Sequence, residues 1–296
     1  MLQKRIFTIL LYYIIIVSFN YNYAQNNYKY AGFIKIQDTL LIKYKIEFNE
    51  NNGLIDGYSF TDFGGIHETK SRIKGIYDSE HREISFSEVG LLYTKSPVSM
   101  DDFDFCNVNF QKSKFKLGSD KLSGNFKGKF GDGTNCLDGE IAMSSVEKIA
   151  KRVSKFTKKV QKSKRIEDSI KQKALSIKII DTLNLNILKK NEITSIPTKS
   201  SKIKLRVFDA GQIDDDVVTI YKNGKVLLSK YRINSNKKEL VVSLTEGKTQ
   251  IKIVSNSEGT IGSNTAMIEL IDGDHTIKTM TNLKKGEVTK IDFIKI

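Results

Sequence analysis

The chain has 296 residues, 28% of them charged, a formal net charge of +14, two prolines and no tryptophan. That length suffices for two modest domains, and Phe and Tyr must supply the large core side chains. The three histidines, His67, His81 and His275, show no metal-pair spacing, and Gly-x-Ser-x-Gly, Walker and dinucleotide motifs are missing, so nucleophilic catalysis and nucleotide binding have no support.

The first element is an export signal. Lys4 and Arg5 precede an uncharged apolar run of 14 residues, Ile6 to Phe19, and a polar stretch leads to Ala24-Gln25. A membrane-spanning helix needs roughly 20 apolar residues, so the pattern predicts a cleaved signal peptide over 1–24. The alternative is an uncleaved N-terminal anchor. No later run is long enough to cross a bilayer. The mature chain is therefore expected to be exported, periplasmic or extracellular. Cys106 and Cys136, the two cysteines, then most simply form a disulfide.

Residues 25–145 read as an N-terminal β-domain. Short alternating or aromatic runs are punctuated by Gly, Asn and Asp, and Asn51-Asn52-Gly53 predicts a tight turn between Lys43–Phe48 and Leu54–Phe60. An apolar-polar-Gly pattern recurs at Ile55-Asp56-Gly57, Ile73-Lys74-Gly75, Leu122-Ser123-Gly124 and Leu137-Asp138-Gly139. It predicts an antiparallel meander bent at glycines: a small barrel or a curved sandwich. A lipocalin-like barrel holding a small apolar ligand is one reading of such a domain.

Residues 146–200 are predicted as a basic amphipathic helix followed by a linker. Val146 to Leu175 holds eleven basic residues against three acidic ones, a local charge of +8, so whole-chain charge misleads. Val146, Ile149, Val153, Phe156, Val160 and Ile170 recur at helical spacing as one narrow apolar stripe. Lys148, Lys151, Arg152, Lys155, Lys158, Lys159 and Lys162 are the candidate partner-binding residues. The face is read as a solvated spacer packed on a β-domain or on a second copy of the chain, or as a surface for anionic envelope components. Nucleic acid is disfavoured by the near absence of interleaved aromatics and by export. Leu183, Leu185 and Ile187 alternate and could add a strand, and the stretch around Pro197 reads as a tether.

Residues 201–296 predict about seven short strands, the density of an Ig-like β-sandwich. Four carboxylates, Asp209, Asp214, Asp215 and Asp216, fall within eight residues of its first connection. Asp209, Asp214 and Asp216 have the chemistry of a Ca²⁺ loop, with Asn223 as an added oxygen, although the spacing is not that of an EF-hand. The plainer reading is a turn whose Asp side chains cap backbone amides.

The run Phe208-Asp209-x-Gly211-x-x-Asp214-Asp215-Asp216-Val217-Val218, then Asn223-Gly224 and Asn264-Thr265-Ala266, resembles a family of exported bacterial β-sandwich modules. Their pattern is Trp-Asp-x-Gly-x-x-Asp-Gly-Asp-x-Val, Asn-Gly, Asn-Thr-Ala. The resemblance covers about 95 residues and departs at Phe208, where Trp is usual, and at Asp215, where Gly is usual. It implies a C-terminal module of exported or envelope-associated proteins, with no established activity.

The sequence reading is thus of a mainly β, exported, non-enzymatic binding or scaffold protein of the bacterial envelope. Its partner would be a glycan, a protein or an anionic surface, with no cofactor other than candidate Ca²⁺. The competing reading is a hydrolase of extracellular polymers that uses the Asp209–Asp216 carboxylates as acid and base.

Overall fold

The first eight strands close on themselves. They are β1 (Asn27–Ile36), β2 (Leu40–Asn51), β3 (Leu54–Thr61), β4 (Thr69–Asp78), β5 (Glu83–Ser96), β6 (Asn107–Lys114), β7 (Lys121–Lys129) and β8 (Asn135–Ser145). In this computed structural model, which describes residues 27–37, 39–96, 104–163, 165–169, 171, 186–209, 215–257 and 264–296, each pairs antiparallel with its chain neighbour. β1 also pairs with β8, and β5 with β6, giving a closed eight-stranded antiparallel barrel. The predicted turn is present, with Asn52 and Gly53 both at positive φ between β2 and β3. The predicted signal segment lies outside the described residues.

The barrel interior is filled by side chains. Tyr30, Tyr44, Ile46, Phe48, Ile73 and Phe86 are among its buried residues, and Phe86 stacks on Phe110 with ring centroids 4.9 Å apart. The recurring glycines have a steric reason. A Cβ on Gly57 would collide with the carbonyl oxygen of Glu47, and one on Gly75 with that of Ser85. Strands coil tightly enough to close the barrel only where no side chain intervenes. Cys106, just before β6, bonds to Cys136 in β8, with 30 residues between them in sequence.

The helix α1 (Val146–Lys162) follows β8 without a loop. Ser145 caps it, its hydroxyl accepting from the Lys148 amide at 3.2 Å, and Glu147 occupies the first turn. The helix ends at Lys162, before the predicted limit at Leu175, when Ser163 turns extended. Ile170 lies outside the residues whose side chains are described.

The remaining strands are β9 (Asn186–Leu188), β10 (Ile193–Thr198), β11 (Lys202–Phe208), β12 (Val217–Lys222), β13 (Lys225–Arg232), β14 (Lys238–Ser243), β15 (Lys248–Ser255), β16 (Met267–Asp272), β17 (His275–Thr281) and β18 (Val288–Lys295). One sheet has the order β14-β11-β16-β17-β9. It faces β13-β12-β15-β18-β10 across a core that includes Ile203, Leu205, Ile220, Ile253, Ile268 and Phe293. This is the predicted sandwich. It also takes in β9, which includes Ile187 of the extra strand anticipated from the sequence, and β10, which corrects the tether read around Pro197.

A single strand joins barrel and sandwich. The first half of β5 pairs with β6, up to Ser87↔Asn109. The second half pairs with β10 through Thr94, Lys95 and Ser96. The barrel wall thereby runs on into one sandwich sheet, making thirteen strands in all. Tyr93 of β5 contributes to the sandwich core.

Candidate functional site

Three places carry the chemistry that the sequence singles out or that the fold creates: the aspartate turn, the lysine face of α1 and a cleft where β5 leaves β6.

The aspartate turn connects β11 to β12. Asp214 lies outside the described residues. The backbone amide of Asp209 donates to Asn234 O at 2.8 Å, and its side chain is buried. Asp216 is 2% exposed, and its carboxylate accepts from the Thr265 amide at 2.7 Å. Asp215 adopts φ +65°, which Asp tolerates better than most residues, and its exposed carboxylate lies 3.3 Å from Arg232. Asn223 is not drawn to the turn. It begins the β12–β13 hairpin at positive φ, and its side-chain oxygen accepts from the Gln250 amide at 2.8 Å. Asn264 donates to Val217 O at 3.3 Å, and Thr281 Oγ1 donates to it in turn. Of the residues in that pattern, the described Asp209, Asp216, Asn223 and Asn264 thus tie loops to strands. Among the described residues, no three His, Cys, Asp or Glu side chains converge on a point that could hold a metal ion.

The helix presents a different surface. It leans on β1 and β8, and Val146 and Val160 are buried. The apolar stripe predicted from the sequence is only partly covered, because Phe156 is 58% exposed. Arg152 and Lys159, its neighbours one turn away on the same face, are exposed as well, as is Lys155 on the adjoining face. Of the seven candidate cations, Lys148 pairs with Asp120 at 3.0 Å. Lys151, Arg152, Lys155, Lys158, Lys159 and Lys162 make no ion pair among the described residues. Beside the helix, a groove of about 580 Å³ on the barrel wall is lined by Phe33, Phe63, Met143 and Ile149.

The cleft was not legible in the sequence. It holds about 380 Å³ between β4, β5 and the segment leading into β6. Glu88 sits in its wall, at an irregularity in the β4–β5 ladder. Its carboxylate accepts from Ser59 Oγ at 2.6 Å, Val108 N at 2.8 Å and Tyr44 Oη at 3.0 Å. Although part of the residue reaches the cleft, burial of the carboxyl pushes its pKa above the usual glutamate value. The Val108 amide would otherwise have met a β5 carbonyl. Once β5 swings away toward β10, the Glu88 side chain satisfies it instead. Only that strand divergence brings Glu88 to a cavity, and no local sequence pattern encodes it.

Behind the cleft lies a buried ionic seam. Lys95 Nζ is 3.3 Å from Glu192 and 3.5 Å from Glu68, and donates to Ile187 O at 2.9 Å. Tyr93 donates to Glu68 at 2.9 Å. Burial raises the Glu192 pKa despite the adjacent lysine, and it pushes the tyrosine hydroxyl well above its ordinary range. These groups meet where barrel strands join β10, so they act on the junction rather than on solvent.

No protein-family model, curated protein or solved structure matches this chain.

Proposed function

We propose that the protein is an exported, non-enzymatic binding protein of the bacterial envelope that rests on an anionic, phosphate-bearing lipid surface through α1. The observation that carries the reading is the exposed Phe156 ring flanked on its own helix face, one turn away, by the exposed Arg152 and Lys159. A cationic face seeks anionic headgroups, and an aromatic ring at its centre favours the boundary between headgroups and acyl chains. The charge complementarity selects this occupant over a second copy of the chain, whose equally basic helix would repel it. Among the described residues no helix is long and apolar enough to cross a membrane, so attachment through α1 would be peripheral.

The hydrolase reading draws less support. Asp216 is buried and held by a backbone amide, and Asp215 faces Arg232, so neither is presented to a polymer as an acid or a nucleophile. Packing of the barrel interior likewise favours a surface-binding role over carriage of an apolar ligand there.

Co-sedimentation of the full chain with phosphatidylglycerol vesicles, against phosphatidylcholine vesicles, tests the proposal. Binding is expected to the anionic vesicles only and to weaken with added salt. Each basic side chain near such a surface contributes about 1 kcal/mol, so replacing Lys155, Lys158 and Lys159 by Gln together should weaken partitioning roughly 100-fold. Phe156→Ala should weaken it further. Equal binding to both vesicle types, or no loss in the triple variant, would overturn the assignment.

A further inference from the structure

We infer that the cleft between the diverging halves of β5 and β6 is a binding site for a small hydroxylated amine, with Glu88 as the counter-charge for its ammonium group.

A closed barrel offers no gap between paired strands, and this one is opened by its own topology. The last β5–β6 pair is Ser87↔Asn109, after which β5 pairs with β10 and the start of β6 is held back by the Cys106–Cys136 bond. A space of about 380 Å³ remains, within the range of small-molecule sites.

Among the described residues, no lysine, arginine or histidine lies within ion-pairing distance of Glu88. Removing a carboxylate from water is costly without a compensating cation. Lys95 also lines the cleft, but its ammonium is engaged by Glu68, Glu192 and the Ile187 carbonyl. Asp104 adds a second acid at the rim, where the exposed His67 is the other titratable group.

A carboxylate has about four acceptor positions. Glu88 fills two on one oxygen, from Tyr44 and Ser59, and one on the other, from Val108. One acceptor position is therefore left for an incoming donor. The surrounding wall is rich in groups suited to hydroxyls, including Thr61, Ser71 and Asn107. An ammonium for the acids and several hydroxyls for this wall describe an amino sugar or an amino polyol better than an apolar ligand or an anion.

The test is titration of the full chain with D-glucosamine, with D-glucose as its uncharged counterpart, read by amide chemical shifts. Glucosamine is expected to move the Val108 amide and its neighbours, and to bind about ten-fold or more tightly than glucose. Glu88→Gln should abolish the shift. Because that side chain also supports Val108, its folding is checked by its thermal midpoint, and Asp104→Asn at the exposed rim provides an independent variant. It should weaken glucosamine several-fold and leave the midpoint unchanged. No shift at Val108, equal binding of the two sugars, or unaltered glucosamine binding in a folded Glu88→Gln or in Asp104→Asn would overturn the inference.

Discussion

The backbone amide of Thr265 donates to the carboxylate of Asp216 at 2.7 Å, across 49 residues of sequence. This bond joins the aspartate turn before β12 to the Asn-Thr-Ala segment before β16. Asn264, bonded to Val217 O and to Thr281, reinforces it from the next position. The two halves of the sequence pattern are therefore one structural clasp at an end of the sandwich.

Breaking the clasp should cost stability. Asp216→Ala leaves the Thr265 amide without its acceptor inside a buried site, a loss of about 1–3 kcal/mol. Asp215→Asn, on an exposed side chain paired with exposed Arg232, should change stability by less than about 1 kcal/mol. Urea unfolding of the two variants distinguishes them, and equal effects would contradict the assignment of Asp216 as the structural member.

The junction between barrel and sandwich should be more sensitive still. Lys95 is 3% exposed and lies between Glu68 and Glu192. Lys95→Met keeps the stem but strands two buried carboxylates, an effect of about 3–5 kcal/mol. The loss should shrink as pH falls, because protonation neutralises the stranded Glu192, whose pKa burial already raises. Chemical denaturation at neutral and mildly acidic pH measures both the size and the trend.

Glu88 gives a pH dependence of defined sign. Its folded pKa is raised by burial, so between the unfolded and folded values the folded chain holds a proton that the unfolded chain has lost. Its contribution to stability is full below the unfolded pKa of about 4.3 and is lost as pH rises through the folded value. Glu192, also raised by burial, adds in the same direction. Carboxylates whose pKa is lowered, such as Asp78 and Glu83, act in the opposite sense, so the clean readout is a difference. The stability gap between wild type and Glu88→Gln should shift in favour of the variant as pH rises across this window. A gap that stays flat from acid to neutral pH would show that the carboxyl does not titrate there.

Local chemistry made much of this architecture readable. The Asn52-Gly53 turn follows from two residues that accept positive φ. The apolar-polar-Gly pattern follows from the need for bare backbone where strands cross closely, as at Gly57 and Gly75. Helix α1 begins where Ser145 caps it, and its charge is a property of composition. The Cys106–Cys136 pair needed only an even count and an expected oxidising compartment.

Edge and long-range features were less readable. Strand β13 carries no alternating signature, because as an exposed edge strand with Lys225, Lys230 and Arg232 it lacks a buried face. Strand β10 hides in a stretch around Pro197 whose composition reads as a tether, and β9 shows itself only through the alternation that reaches Ile187; parallel pairing to β18 and β17 orders the two.

By itself, then, the sequence determined the mainly β character, the disulfide, the helix and its basic face, since each depends on neighbours within a few residues or on residue type alone. Only the tertiary structure decided that β5 belongs to both barrel and sandwich, that Asp216 holds Thr265, and that Glu88 lies in the wall of a cleft. The physical reason is common to all three. Each depends on which backbone groups find partners tens of residues away, and a strand's own sequence does not record the partner that will satisfy it.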